Sequence, residues 1–246
     1  CGSYPGRFMP LAPPIMWDPK LMAEEVRRVA KKGCHTLSFT ESPEKLNFPS
    51  FHSEHWDPLW KALCDEGTVL AVHIGSGAGM QFNSMEAPVD VMITTTPMKI
   101  VDFAADILWS RVLKQYPTLK VALSEGGIGW IPYFLERADY VYEHHNRWTG
   151  SDFGGRLPSE VFRDHFIACF ITDSAGLRML DLIGPEIVAE AIKIFDVLRA
   201  EGETDLRQAG ALTMTDAAWN MLQQQLCPSA RSGQCALEII DAESEW

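Results

Sequence analysis

Five times along this chain an apolar run of strand length gives way to an amphipathic stretch with a helix-start signal and then to a glycine. The runs are Phe8 to Ala12, Thr36 to Thr40, Thr68 to Ile74, Leu119 to Ser124 and Phe166 to Ile171. Such alternation calls for an α/β fold, because parallel strands need a long crossover and a helix is the crossover that packs back on the sheet. Thr68 to Ile74 is apolar almost throughout, as expected of a strand covered on both faces. Asp18-Pro19 and Asp57-Pro58 repeat one start signal, an aspartate N-cap with proline at the first helical position. The helices they open are expected to end at Gly33 and Gly67, the first burying Leu21, Met22, Val26, Val29 and Ala30. One longer helix is predicted from about Pro97 to Tyr116, another to about Arg147, and a last one closing at Gly184.

Each strand is followed by polar residues, which fits a TIM-type (β/α) barrel with its site at the carboxyl ends of the strands. A doubly wound sheet fits the same periodicity. Residues 1–185 are read as the barrel portion, and five strands make that barrel incomplete in this chain. Residues 186–246 are read as a helical C-terminal segment and tail, with helical spacing over Ile187 to Ala200 and Thr215 to Leu226. The chain opens on Cys1 rather than Met, which points to a piece of a longer product.

Composition narrows the partners. The 246 residues are 46% hydrophobic and 22% charged, enough apolar surface for one large core. A net charge of −12 leaves no basic stripe for phosphates or anionic lipid, so no nucleic-acid or membrane partner is expected. No run reaches the length of about 18 apolar residues of a membrane span. Six scattered cysteines without a C-x-x-C pair suit reduced thiols, and a cytoplasmic location is expected.

Four strings carry a more specific likeness: Trp56-Asp57-Pro58-Leu59-Trp60, Val72-His73-Ile74-Gly75-Ser76, Ser124-Glu125-Gly126-Gly127-Ile128-Gly129-Trp130 and Leu135-Glu136-Arg137-Ala138-Asp139. In this order they resemble the amidohydrolase-related branch of the amidohydrolase superfamily, which includes aminocarboxymuconate-semialdehyde decarboxylase and many metal-dependent hydrolases. The resemblance covers roughly residues 4–184. It implies a TIM barrel, a divalent metal that is usually zinc, and hydrolysis or non-oxidative decarboxylation of a small carboxylated or cyclic substrate.

The resemblance assigns His73 as the fifth-strand metal ligand. A neutral imidazole at a strand end can fix a metal beside an open coordination position. A lone histidine ending an apolar strand is otherwise a hydrogen-bonded core residue. Glu125 stands where many relatives carry a sixth-strand histidine, so it is read as catalytic, a metal neighbour or a proton shuttle; a cap for backbone N–H groups is the competing role. Asp173, just past the last strand, is read as a base or orienting carboxylate, in competition with a helix N-cap. Arg137 and His144 are seven residues apart on one helix face and form a candidate substrate-binding pair for an anion; a solvated face is the plainer outcome. His52 and His55 flank Glu54 in an aromatic loop at a spacing compatible with a metal, and loop polarity explains them equally. The acidic-x-His element in Glu143-His144-His145 is set aside, because helical residues two apart diverge.

The family's first-strand acidic-x-His or His-x-His pair and its eighth-strand aspartate are not found in the chain. Asp196, flanked by apolar residues, is the sole stand-in considered and its surroundings look helical. Two further readings follow: a non-catalytic α/β binding or assembly protein derived from a decayed barrel, and a homo-oligomer that covers exposed sheet edges.

Overall fold

The computed structural model describes residues 10–77, 84, 86–170, 173–184 and 187. Four parallel strands form the sheet: β1 (Thr36–Thr40), β2 (Val69–His73), β3 (Val121–Ser124) and β4 (Phe166–Ala168). The helices are α1 (Pro19–Ala30), α2 (Asp57–Glu66), α3 (Val89–Thr95), α4 (Lys99–Leu108), α5 (Val112–Gln115), α6 (Ile131–Thr149), α7 (Pro158–His165), α8 (Ser174–Leu177) and α9 (Leu180–Ile183).

Strand order is β1-β2-β3-β4, and an isolated parallel bridge places Ala12 beside Leu37 on the outer side of β1. Order in space therefore follows order in sequence with no reversal, as in an arc of a barrel; a doubly wound sheet reverses at its switch point. Burial agrees. Leu37, Phe39, Leu70, Val72, Val121 and Leu123 are buried on one face, beneath the helices. The opposite face carries a registered row of Ser38, Ala71, Ala122 and Ile167, all only partly covered, as on the inside of an unclosed barrel. Thr40 pairs with His73, so His73 continues that inner face to the carboxyl end of β2.

Aromatic packing fixes the β1 side of the arc. Phe39 meets Trp56 edge-on at 5.3 Å between ring centroids, and Phe51 meets Phe103 at 5.4 Å. All four rings are buried, each contributing about 2–3 kcal/mol of apolar transfer.

The two start signals resolve differently. Asp18 caps α1 as expected, accepting from the backbone N–H groups of Lys20 and Leu21 at 3.0 Å each. Asp57 does not cap α2; its carboxylate takes the Arg111 guanidinium at 2.6 Å instead. The terminal Gly67 adopts the left-handed conformation (φ 59°) that a C-cap requires. On α1 the buried stripe is Pro19, Met22, Ala23, Val26 and Ala30, while Leu21 is 44% exposed. The helix expected from Pro97 to Tyr116 is broken at Ser110, whose hydroxyl donates to Ile107 O (2.7 Å) and accepts from Val112 N (3.1 Å), separating α4 from α5. The helix expected to close at Gly184 is two single turns, α8 and α9. Apart from Ile187, the C-terminal segment, Asp196 included, lies outside the described residues. No helix among the described residues is long and apolar enough to cross a membrane.

Candidate metal centre at the strand ends

The carboxyl ends of three neighbouring strands carry Glu41, just past β1, His73, the last residue of β2, and Glu125, just past β3. The sharpest contact is His73 Nε2 to Glu125 Oε2, 3.1 Å, with both side chains close to half exposed at the mouth of the arc. The other ring nitrogen, Nδ1, lies 2.7 Å from Ile74 O. A carbonyl only accepts, so Nδ1 carries a proton and the ring turns Nε2 toward the Glu125 carboxylate. A bare Nε2 and a carboxylate at that distance repel. The contact becomes favourable when positive charge enters it, either a second ring proton or a metal ion.

The separation suits a metal. Two ligands each about 2.1 Å from one cation are about 3.0–3.4 Å apart for angles between a right angle and the tetrahedral value. Imidazole with carboxylate is also a donor set that divalent zinc or manganese accepts. The fit is partial: among the described residues no group of three or more His, Cys, Asp and Glu side chains converges as a metal cage. His73 and Glu125 thus supply two donors, short of the three protein ligands of a catalytic zinc site.

Glu125 is held in an unfavourable backbone conformation. Its φ is 61°, the left-handed region, which costs a non-glycine residue roughly 1–2 kcal/mol. Neighbouring groups impose it. Its backbone N–H donates to Cys169 Sγ at 3.2 Å, from the residue just past β4. Burial pushes the Cys169 thiol pKa up, so it meets this N–H as a neutral acceptor. Further along the turn, Asp173 Oδ2 accepts from Ile128 N (2.7 Å) and Gly129 N (2.6 Å), while its Oδ1 accepts from Gly176 N (2.7 Å). Trp130 Nε1 donates back to the carbonyls of Gly126 and Gly127, both at 3.0 Å. The glycines are needed here: a Cβ on Gly126 would stand 2.3 Å from Ile100 Cγ2, and one on Gly129 would stand 2.9 Å from Asp173 Oδ1.

Asp173 therefore occupies the N-cap of α8 and clamps the turn that carries Glu125. Arg137 and His144 share a face of α6, but the Tyr140 ring stands between them. Arg137 lies over that ring at 4.9 Å and His144 stacks on it at 4.0 Å. At 1.5 Å per residue, the helix carries them about 9 and 20 Å past its start, away from the strand ends. His52 pairs with Asp106 at 2.6 Å, and His55 packs edge-on against Trp56, so the two do not converge.

Glu41, Ser76 and Cys169 are the site residues that sequence reasoning did not nominate. An acid directly after a strand, as in Thr40-Glu41, was the available signal for the first. Nothing local marks Cys169, because its partner is 44 residues away.

Comparison with known proteins agrees with the fold. A search of curated proteins returns no match. Among solved structures, the chain resembles 5-carboxyvanillate decarboxylase LigW from Sphingomonas paucimobilis, with 23% identity and TM-score 0.61 over 74% of this chain and 55% of that one. It also resembles an amidohydrolase from Mycobacterium avium subsp. paratuberculosis K-10, with 19% identity and TM-score 0.61 over 87% and 57%. A third is a dihydroxybenzoic acid decarboxylase from Polaromonas sp. JS666 with bound manganese and the inhibitor 2-nitroresorcinol, at 20% identity and TM-score 0.55 over 77% and 58%. At these identities the likeness establishes the fold, an α/β portion of a TIM-type barrel, and the chain spans a little over half the length of each structure. The amidohydrolase family's sequence profile matches residues 1–187, three quarters of the chain, and the chain belongs to the amidohydrolase family.

Proposed function

We propose that this chain is the portion of a divalent-metal-dependent amidohydrolase-family enzyme that carries its fifth- and sixth-strand donors, and that the enzyme decarboxylates or hydrolyses a small carboxylated or cyclic compound. One observation carries the reading: Nε2 of His73 faces the Glu125 carboxylate at 3.1 Å while Nδ1 donates to a backbone carbonyl. In this proposal His73 and Glu125 hold the metal, zinc or manganese, and the remaining ligands come from outside the described residues. When bound, the metal acts as a Lewis acid toward a substrate oxygen. Decarboxylation ranks above hydrolysis here because two of the three solved structures described above are decarboxylases of carboxylated phenols. Asp173, rather than serving as a base, positions Glu125 through the backbone of residues 128 and 129. Arg137 and His144 remain candidate anion contacts for a substrate or partner reaching the outer face of α6. The free thiols of Cys34, Cys64 and Cys169 favour a reducing cytoplasmic setting.

The test is to load the chain with Mn²⁺ and assay CO₂ release and hydrolysis on a panel of hydroxybenzoates and cyclic amides. Metal-dependent turnover lost in His73→Gln supports the reading. Absence of both Mn²⁺ binding and turnover, in this chain and in any longer product containing it, replaces it with a non-catalytic binding or assembly module.

A further inference from the structure

Glu41 is a carboxylate at the end of β1 that is only 6% exposed, and among the described residues its hydrogen bonds come from hydroxyl groups. Ser76 Oγ lies 2.6 Å from Glu41 Oε2, and the Thr40 hydroxyl is 3.5 Å from the same oxygen. The Ser76 hydroxyl is at once 2.7 Å from the backbone carbonyl of His73. With its one proton shared between these two acceptors, Ser76 joins the buried acid of β1 to the strand end that bears the histidine. A second contact reinforces the joint. A Cβ on Gly77 would stand 2.6 Å from Thr40 Oγ1 and 2.9 Å from the backbone nitrogen of Ser42, so the turn over residues 74–77 lies directly against residues 40–42. That turn contains Ile74, whose carbonyl receives the His73 Nδ1 proton at 2.7 Å.

We propose that Glu41 is a positioning residue for His73: through Ser76 it docks the turn 74–77 onto the end of β1, and the docked turn presents the Ile74 carbonyl that holds the Nδ1 proton and aims Nε2 at Glu125. The placement is of the kind by which carboxylates and carbonyls behind a ligating imidazole set its tautomer and orientation. A buried carboxylate is costly to maintain unless its oxygens are engaged, and here the engagement is with the very turn that orients the imidazole. The functional meaning rests on reading His73 as a metal ligand; the geometry does not.

Long-range ¹H–¹⁵N spectra of the histidine rings in the metal-free full chain at pH 8 separate the two. The His73 signals are assigned by their loss in His73→Gln. His73 Nδ1 is expected as a protonated nitrogen in the parent chain and in Glu41→Gln, whose amide oxygen still accepts from Ser76. In Glu41→Ala its shift moves toward the average of protonated and unprotonated nitrogen. His165, whose Nδ1 is held by Leu119 O at 2.7 Å, stays unchanged and serves as the internal control. Unchanged His73 shifts in Glu41→Ala overturn the proposal. If Glu41→Ala disturbs His165 as well, Ser76→Ala decides, since it deletes only an exposed hydroxyl: averaged His73 shifts support the role and unchanged shifts refute it. A chain that binds no Mn²⁺ yet shows this dependence keeps the positioning role and loses only the metal reading.

Discussion

His73 and Glu125 stand at the ends of neighbouring strands, and the 3.1 Å between their Nε2 and Oε2 atoms sets an imidazole nitrogen against a carboxylate oxygen. In the proposed site, removing either group leaves one protein donor where two stood. His73→Gln and Glu125→Gln are each expected to weaken Mn²⁺ binding by about 10–100-fold or more. Glu125→Gly separates site from scaffold, since it also relieves the left-handed backbone at φ 61°. It is expected to raise unfolding stability by roughly 1 kcal/mol while metal affinity falls. Calorimetric titration with Mn²⁺ and urea unfolding of the same samples check the opposite signs; affinity equal to that of the parent chain in all three variants removes the pair from the metal centre.

Asp173 receives three backbone N–H groups from two segments, Ile128 and Gly129 on one side and Gly176 on the other. Asp173→Ala strands those donors and is expected to cost about 2–4 kcal/mol. Asp173→Asn, which keeps one acceptor oxygen, costs less. Hydrogen exchange at Ile128 and Gly129 should accelerate in step with the loss. Exchange unchanged in Asp173→Ala contradicts the clamp.

Gly126 has no room for a methyl group, because Ile100 Cγ2 would lie 2.3 Å from it. Gly126→Ala is expected to destabilise by about 1–3 kcal/mol through overpacking. Ile100→Ala, at a fully buried site, costs about 2–5 kcal/mol by itself. Because the added methyl enters the space that Ile100 vacates, the double variant should be more stable than the two losses added together. A double-mutant cycle with zero coupling would show that the turn moves aside instead.

His165 is buried and donates from Nδ1 to Leu119 O, and burial depresses its pKa below the ordinary histidine value of 6.5, against a smaller upward pull from that hydrogen bond. At acid pH the unfolded chain therefore takes up a proton that the folded chain resists. Stability is full above the unfolded pKa and declines as pH falls from about 6.5 toward the depressed folded value. Urea midpoints compared at pH 7.5 and pH 5.5 should show the decline in the parent chain and a smaller one in His165→Phe. An equal decline in both assigns the acid sensitivity elsewhere.

Much of the arc was legible because it depends on local patterns. The runs ending at Thr40, Ile74 and Ser124 are set by apolar patterning and by the glycines that stop the helices between them; β1 and β3 end where the pattern does, and β2 ends one residue earlier, at His73. The Asp18 cap was legible for the same reason. Asp57 carried the identical signal and was captured by Arg111, 54 residues later, whose guanidinium offers a stronger partner than the helix N–H groups. The break at Ser110 was hidden because Ile107, Leu108, Val112 and Leu113 keep helical spacing across it and are all buried. At the site, His73 and Glu125 were nominated from the strings around them. Their opposition across one strand gap, and the support that Glu41 and Cys169 give, are products of sheet register, which no single segment encodes.

Register also works as a ruler. Adjacent strands lie about 4.8 Å apart, so the ends of β1 to β4 stand at successive marks over about 14 Å. One divalent ion with ligands at about 2.1 Å bridges a single interval of that scale. The His73–Glu125 contact occupies the interval between β2 and β3. Glu41 and Cys169, one mark further out on either side, grip the two donors from behind: one through the Ser76 hydroxyl, the other through the Glu125 backbone N–H. In the proposed site the spacing of the sheet thereby sorts side chains at one rim into those that would touch an ion and those that hold its ligands.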